Sequence, residues 1–274
     1  MSCAQKFLAL LLLSLLGTQR PALAQQVTAQ LGVRRTLKSA ILNEERAVFV
    51  HLPASYDTSR ASYPVLYLLD GTSASLQEMI AITSRMRGDR GAPEMIIVAV
   101  ANTNRNRDMM PVVAKDYPGP PGAEAFLAFL ERELVPDIER TYRTAEPRIL
   151  MGKSLSGLFT LYALLTKPIL FNAYVGCSAG WFGENNEYFL TLSKQAFQKG
   201  ASFADRRVFM ANSLRDRYDP DGTIHRQMVE FSGLVRERLR GVMSYRYETY
   251  DNYPHVPFPC PYDGLRFVTT GEAK

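Results

Sequence analysis

The chain has few of the residues that build metal or redox centres. Its 274 residues include three cysteines, three histidines and one tryptophan. No C-x-x-C and no H-E-x-x-H occurs, and His51, His225 and His255 are far apart in sequence, so neither a structural nor a catalytic metal site is expected. The formal charge of +5 is dispersed. Without a basic block or an aromatic-basic stripe, the chain carries no footprint of nucleic-acid binding. Pro/Ser-rich linkers, internal repeats and low-complexity tracts are also missing, which leaves one folded domain as the economical reading.

The one long apolar run is at the amino terminus, and it is too short to span a bilayer. Lys6 precedes the run Phe7 to Leu16, and Ala22-Leu23-Ala24 follows before Gln25. A positive start, a short apolar stretch and an A-x-A site make residues 1–24 a secretory signal peptide, so the mature protein is expected to be periplasmic or secreted. Cys3 stands before the apolar run, which argues against a lipid-modified amino terminus. Cleavage leaves about 250 residues, 25–274, a size that suits a single domain with a substantial core. Two cysteines remain, Cys177 and Cys260. An oxidising compartment favours a disulfide between them, and their apolar surroundings suit buried free thiols equally well.

What the mature chain does have is alternation. Continuous apolar runs at Val65 to Leu69, Met95 to Val100, Arg148 to Met151, Ala173 to Gly176, Val208 to Ala211 and Tyr245 to Tyr250 read as strands covered on both faces. Helix-periodic stretches separate them at Ser75 to Arg85, Gly122 to Tyr142, Gly157 to Leu165, Glu187 to Gln198 and Ile224 to Arg240. A strand pair within Gln26 to Pro53 forms an edge. The pattern is that of an α/β protein with a mostly parallel, doubly wound sheet flanked by helices. The longest irregular segment, Asn102 to Gly122, leaves the carboxyl end of a predicted strand, where open sheets bind ligands. It is therefore a candidate pocket wall, and Arg105 is its candidate substrate contact.

The segment Met151-Gly152-Lys153-Ser154-Leu155-Ser156-Gly157 runs from strand to helix through small residues, with a serine at the apex. This is the layout of a nucleophile elbow, and the strand before it, the helix after it and the acid and histidine candidates that follow favour that reading over an ordinary helix N-cap at Ser154. A serine hydroxyl needs a base and a group that orients the base. His255 follows the last strand and fits the base. His225 falls at a helix start and reads as a surface residue, and His51 lies in an early strand. For the acid, Asp216 is nearest the end of its strand, with Asp219 and Asp221 as alternatives. Backbone N–H groups of Leu155 and Thr72 are the candidate oxyanion donors. Trp181 and Phe182 are candidate pocket walls, and no cofactor is called for.

With these residues in place the chain resembles the esterase branch of the α/β-hydrolases that takes in enterochelin esterases, S-formylglutathione hydrolases and feruloyl esterases. The likeness runs through Val65-Leu66-Tyr67-Leu68-Leu69-Asp70-Gly71, Pro93 to Ile96 leading to Asn102 to Asp108, Glu133 to Glu139, the elbow, and Val256-Pro257 followed by Tyr262-Asp263-Gly264-Leu265. It implies the α/β-hydrolase fold and a serine hydrolase that cleaves small carboxylic esters through an acyl-enzyme. Two departures stand out. Relatives usually carry glycine where Ser156 stands and often histidine at Lys153. They also place the histidine three residues before the Val-Pro pair, a position held here by Tyr253. Two further readings stay open: a catalytically inactive binding protein that retains the pocket, and an acyltransferase that uses the same three residues.

Overall fold

The computed structural model describes residues 31–90, 92–115, 117, 119–180 and 186–271. The leader at 1–24, the pocket candidates Trp181 and Phe182, and Pro118 of the irregular segment lie outside the described residues. The chain begins with β1 (Val33–Ser39), β2 (Glu44–His51), β3 (Tyr63–Leu68) and α1 (Ser73–Arg90), then β4 (Ile96–Val100) and a short α2 (Arg105–Met109). Next come α3 (Ala123–Phe129), one π turn (Leu130–Leu134) and α4 (Val135–Thr141), which together fill the stretch expected as a single helix. The second half runs β5 (Thr144–Lys153), α5 (Leu155–Thr166), β6 (Ala173–Cys177), α6 (Asn186–Phe197), β7 (Arg207–Ser213), α7 (Thr223–Arg238), β8 (Ser244–Tyr250) and α8 (Cys260–Thr270).

The strands form one eight-stranded sheet in the order β1-β2-β4-β3-β5-β6-β7-β8. β2 pairs antiparallel with both β1 and β4, and every other pairing is parallel. The parallel strands β3, β4, β6 and β7 and residues 149–152 of β5 are buried on both faces, with successive side chains entering opposite layers, whereas β8, expected to be covered on both faces, ends the sheet and is only partly buried. Tyr67, Leu150, Tyr174 and Met210 face the layer of α3, α4 and α5, while Leu66, Ile149, Met151, Val175 and Phe209 face α1 and α8. Parallel pairing brings the ends of β3, β4, β5, β6, β7 and β8 to one edge. The loops that leave that edge carry all of the described candidate site residues.

Two features missed by the sequence reading shape that edge. The segment expected to be irregular after β4 contains α2, capped by Asn104, whose side chain accepts from Arg107 N–H at 3.1 Å. A fully buried Arg46–Asp108 pair at 2.7 Å ties α2 to β2. Charges in such a place persist because each is matched, and the Arg46 guanidinium also lies against the rings of Phe126 and Phe129. The second is α8, which opens at Cys260 with prolines on either side and was not expected from periodicity.

Cys177, at the end of β6, is disulfide-bonded to Cys260. The bridge closes 83 residues of sequence and joins the sheet edge to the start of α8. Closing a loop of that length restricts the unfolded chain, so a Cys260→Ser variant should lose about 2–4 kcal/mol of unfolding free energy. Urea denaturation of the oxidised protein and the variant measures the difference.

Candidate active site

The elbow is set by sterics. A Cβ at Gly152 would lie 2.1 Å from the carbonyl oxygen of Ser156, so no other residue fits where strand and helix pass. Ser154 at the apex has φ 58° and ψ −124°, a sparsely populated conformation for a residue with a side chain. Ser154 N–H donates to Cys177 C=O at 2.8 Å, and Leu158 N–H returns to Ser154 C=O at 3.0 Å. Although Ser154 occupies the N-cap position of α5, its hydroxyl makes no cap hydrogen bond. The hydroxyl lies instead 2.8 Å from His255 Nε2.

His255 Nδ1 is 2.7 Å from Asp216 Oδ2. The three side chains thus form one hydrogen-bonded line, with Asp216 nearly buried and His255 partly open to solvent. Asp219 and Asp221 do other work. Asp219 accepts from Ile224 N–H (2.8 Å) and His225 N–H (3.0 Å) at the start of α7, and Asp221 accepts from Thr223 N–H at 3.1 Å. His225 is not a bare surface residue, since its half-buried ring meets the Tyr247 hydroxyl at 2.9 Å. His51 Nδ1 meets Leu31 C=O at 2.8 Å.

The histidine meets Ser154 although it stands two residues later than the family resemblance implies, and three consecutive carbonyls of its loop are tied down. Ser213 Oγ donates to Tyr253 C=O, Arg217 N–H to Pro254 C=O (2.8 Å), and Ser178 Oγ to His255 C=O (3.1 Å). The Tyr253 ring packs perpendicular to Tyr250.

The turn after β3 is pressed against β4, with Gly71 N–H donating to Val100 C=O at 2.7 Å. Thr72 differs from expectation. Its N–H donates to Ser75 Oγ (2.8 Å) while its own Oγ1 accepts from Ser75 N–H (3.1 Å), a reciprocal capping box at the start of α1. Thr72 N–H is therefore engaged in this structure, and an oxyanion could use it only by displacing Ser75 Oγ. The spacing of Thr72 and Ser75 was the signal for this cap. Leu155 opens α5, where the first N–H groups have no acceptor inside the helix.

Arg105, expected to face substrate, is instead paired. Its Nε and Nη2 each lie 2.8 Å from Asp70, whose carboxylate also accepts from Asn102 Nδ2 (2.6 Å) and Ser156 Oγ (2.8 Å). Ser156 Oγ in turn accepts from Lys153 N–H at 2.8 Å. The hydroxyl at the usual glycine position therefore fastens the elbow to the turn after β3. Sequence reasoning had no means of joining Asp70 to Ser156.

Burial alone would raise the Asp70 carboxyl pKa, but the hydrogen bonds and charge of Arg105, with Asn102 and Ser156, outweigh it and hold the pKa below the usual carboxylate value. A carboxyl lowered in the folded state contributes stability that is complete above its unfolded pKa of about 3.9 and is lost as pH falls through the folded value. Asp70→Asn should be less stable at neutral pH and should show a shallower loss of Tm on acidification below about pH 4 than the parent. A series of thermal melts from neutral to acid pH checks both.

Among the described residues no cluster of His, Cys, Asp or Glu could hold a metal ion, and no helix is long and apolar enough to cross a membrane. The Esterase family model, described as "Putative esterase", matches residues 39–219. The ferri-bacillibactin esterase BesA of Bacillus subtilis (strain 168) is 31% identical over 263 residues, covering 81% of this chain and 91% of that protein. Among solved structures, the IroE-like serine hydrolase from Shewanella oneidensis has a TM-score of 0.75 at 27% identity and covers 88% of this chain and 81% of its own. The BES protein from Bacillus cereus has a TM-score of 0.71 at 25% identity, with coverages of 89% and 97%.

Proposed function

Because the chain belongs to the Esterase family of α/β-hydrolases and is a carboxylic ester hydrolase, we propose that it works as a serine esterase with Ser154 as nucleophile, His255 as base and Asp216 as orienting acid. The observation that carries this reading is the hydrogen-bonded line from Ser154 Oγ through the imidazole to Asp216. His255 Nε2 takes the hydroxyl proton as Oγ bonds to the ester carbonyl carbon, and it returns that proton to the alcohol oxygen as the carbon–oxygen bond breaks. A water then repeats the sequence on the acyl-enzyme and releases the acid. Asp216 holds the imidazole in the tautomer that leaves Nε2 facing Ser154 and stabilises the imidazolium.

The carbonyl oxygen becomes negative on the side away from His255. Leu155 N–H supports that charge, and Thr72 N–H joins it when the oxyanion replaces Ser75 Oγ. The relatives named for ferri-bacillibactin and, in two fungi, for the siderophores triacetylfusarinine C and enterobactin support siderophore esters as the substrate class. The enzyme is one catalytic domain over 25–274, delivered by the leader at 1–24 to the periplasm or the exterior, with no cofactor.

Ser154→Ala should remove ester turnover by at least about a thousandfold while leaving the fold intact, since the hydroxyl caps nothing. Asp216→Asn should lower kcat by orders of magnitude, and Asp221→Asn should not. Hydrolysis of p-nitrophenyl esters, with circular dichroism as the folding control, tests the set. A turnover near the parental rate in Ser154→Ala would refute the assignment.

A further inference from the structure

The loop that supplies Asp216 also presents an exposed aromatic residue to the site. Tyr218 is 55% exposed, yet its ring packs perpendicular to the His255 imidazole with centroids 4.7 Å apart. Its place is fixed by the acid itself. Tyr218 N–H donates to Asp216 Oδ1 at 2.9 Å, while Oδ2 of the same carboxylate holds His255. Arg217, between them in sequence, is anchored through its N–H to Pro254 C=O, and its guanidinium carbon lies 4.9 Å from the Tyr218 ring centre. The Arg217 side chain is exposed and forms no ion pair among the described residues. A flat apolar ring and an available cation therefore stand together beside the base.

The chemistry decides which part of a substrate they meet. The proton that His255 Nε2 takes from Ser154 is handed to the alcohol oxygen as the acyl carbon–oxygen bond breaks, so that oxygen comes within hydrogen-bond reach of Nε2. The alcohol's substituent accordingly lies on the His255 side of the site. The acyl portion stays on the side of Ser154 and the Leu155 N–H.

We propose that Tyr218 and Arg217 form the leaving-group subsite and select an alcohol that carries an aromatic ring with an anionic substituent. The ring stacks on Tyr218 and the anion pairs with Arg217. This rests on the serine-esterase reading and extends it to the alcohol half of the substrate.

The test uses the full mature protein and three esters of one acyl group, with ethanol, benzyl alcohol and 4-carboxybenzyl alcohol. In the parent, kcat/KM should rise in that order. Tyr218→Ala should lower the benzyl-to-ethyl ratio of kcat/KM by about 10-fold, and Tyr218→Phe, which keeps the ring, should restore it. Arg217→Gln should cancel the advantage of the carboxybenzyl ester over the benzyl ester. If Tyr218→Ala lowers ethyl and benzyl esters by the same factor, or leaves the ratio at the parental value, the ring only packs the histidine and the proposal is wrong. A carboxybenzyl preference that survives Arg217→Gln overturns the charged half. Failure of the underlying reading is separate, because it appears as ester turnover that persists in Ser154→Ala.

Discussion

Everything in the site hangs on the contact at which β5 and α5 cross. With Gly152 pressed against the Ser156 carbonyl, the chain has no room to round the corner smoothly, and Ser154 is driven to positive φ. Such a conformation costs of order 1–3 kcal/mol and survives only where neighbours over-determine it. Here they do. Cys177 C=O holds Ser154 N–H, Ser156 Oγ holds Lys153 N–H, and the first turn of α5 holds Ser154 C=O. The strain keeps the serine hydroxyl off its own helix end and directed at the imidazole.

Cys177 connects this corner to the histidine. Its carbonyl fixes the Ser154 turn, and its sulfur is bonded to Cys260, five residues beyond His255 in sequence. The histidine loop is held at its far end by the disulfide and along its length by Ser213, Arg217 and Ser178. A loop fastened at so many points can absorb a two-residue change of register and still deliver a ring nitrogen to the same place. The backbone anchors, rather than the distance from the Val-Pro pair, set where the His255 ring stands.

This explains what could be read in the sequence and what could not. The central parallel strands were legible because burial on both faces leaves unbroken apolar runs, which the partly buried β8 lacks, and the elbow was legible because steric crowding demands small residues in a fixed pattern. Asp216 could be preferred over Asp219 and Asp221 for its nearness to the strand end, and the other two perform the capping that aspartates commonly do at helix starts. α8 escaped because prolines bracket its first residue and obscure the periodicity. The Cys177–Cys260 bridge stood in the sequence as one of two alternatives, whereas the Arg46–Asp108 pair and the Asp70–Ser156 contact escaped for a different reason. Each joins residues far apart in the chain, and only the stacking of loops at the sheet edge brings them together.

The serine at position 156 shows how a departure from the usual pattern is accommodated. It is fully buried, where an unpaired hydroxyl would cost about 1–3 kcal/mol, but it accepts from Lys153 N–H and donates to Asp70, so nothing is left unsatisfied. The same bond makes the Asp70–Arg105 pair part of the elbow's support and removes Arg105 as a free cation. Lys153 is neutralised in the same way by Glu78 at 2.5 Å. Arg105 and Lys153, two basic side chains near the elbow, are thus answered by carboxylates of the protein itself. The charge of Arg217, next to the Tyr218 ring that packs on His255, is by contrast one that no carboxylate among the described residues answers.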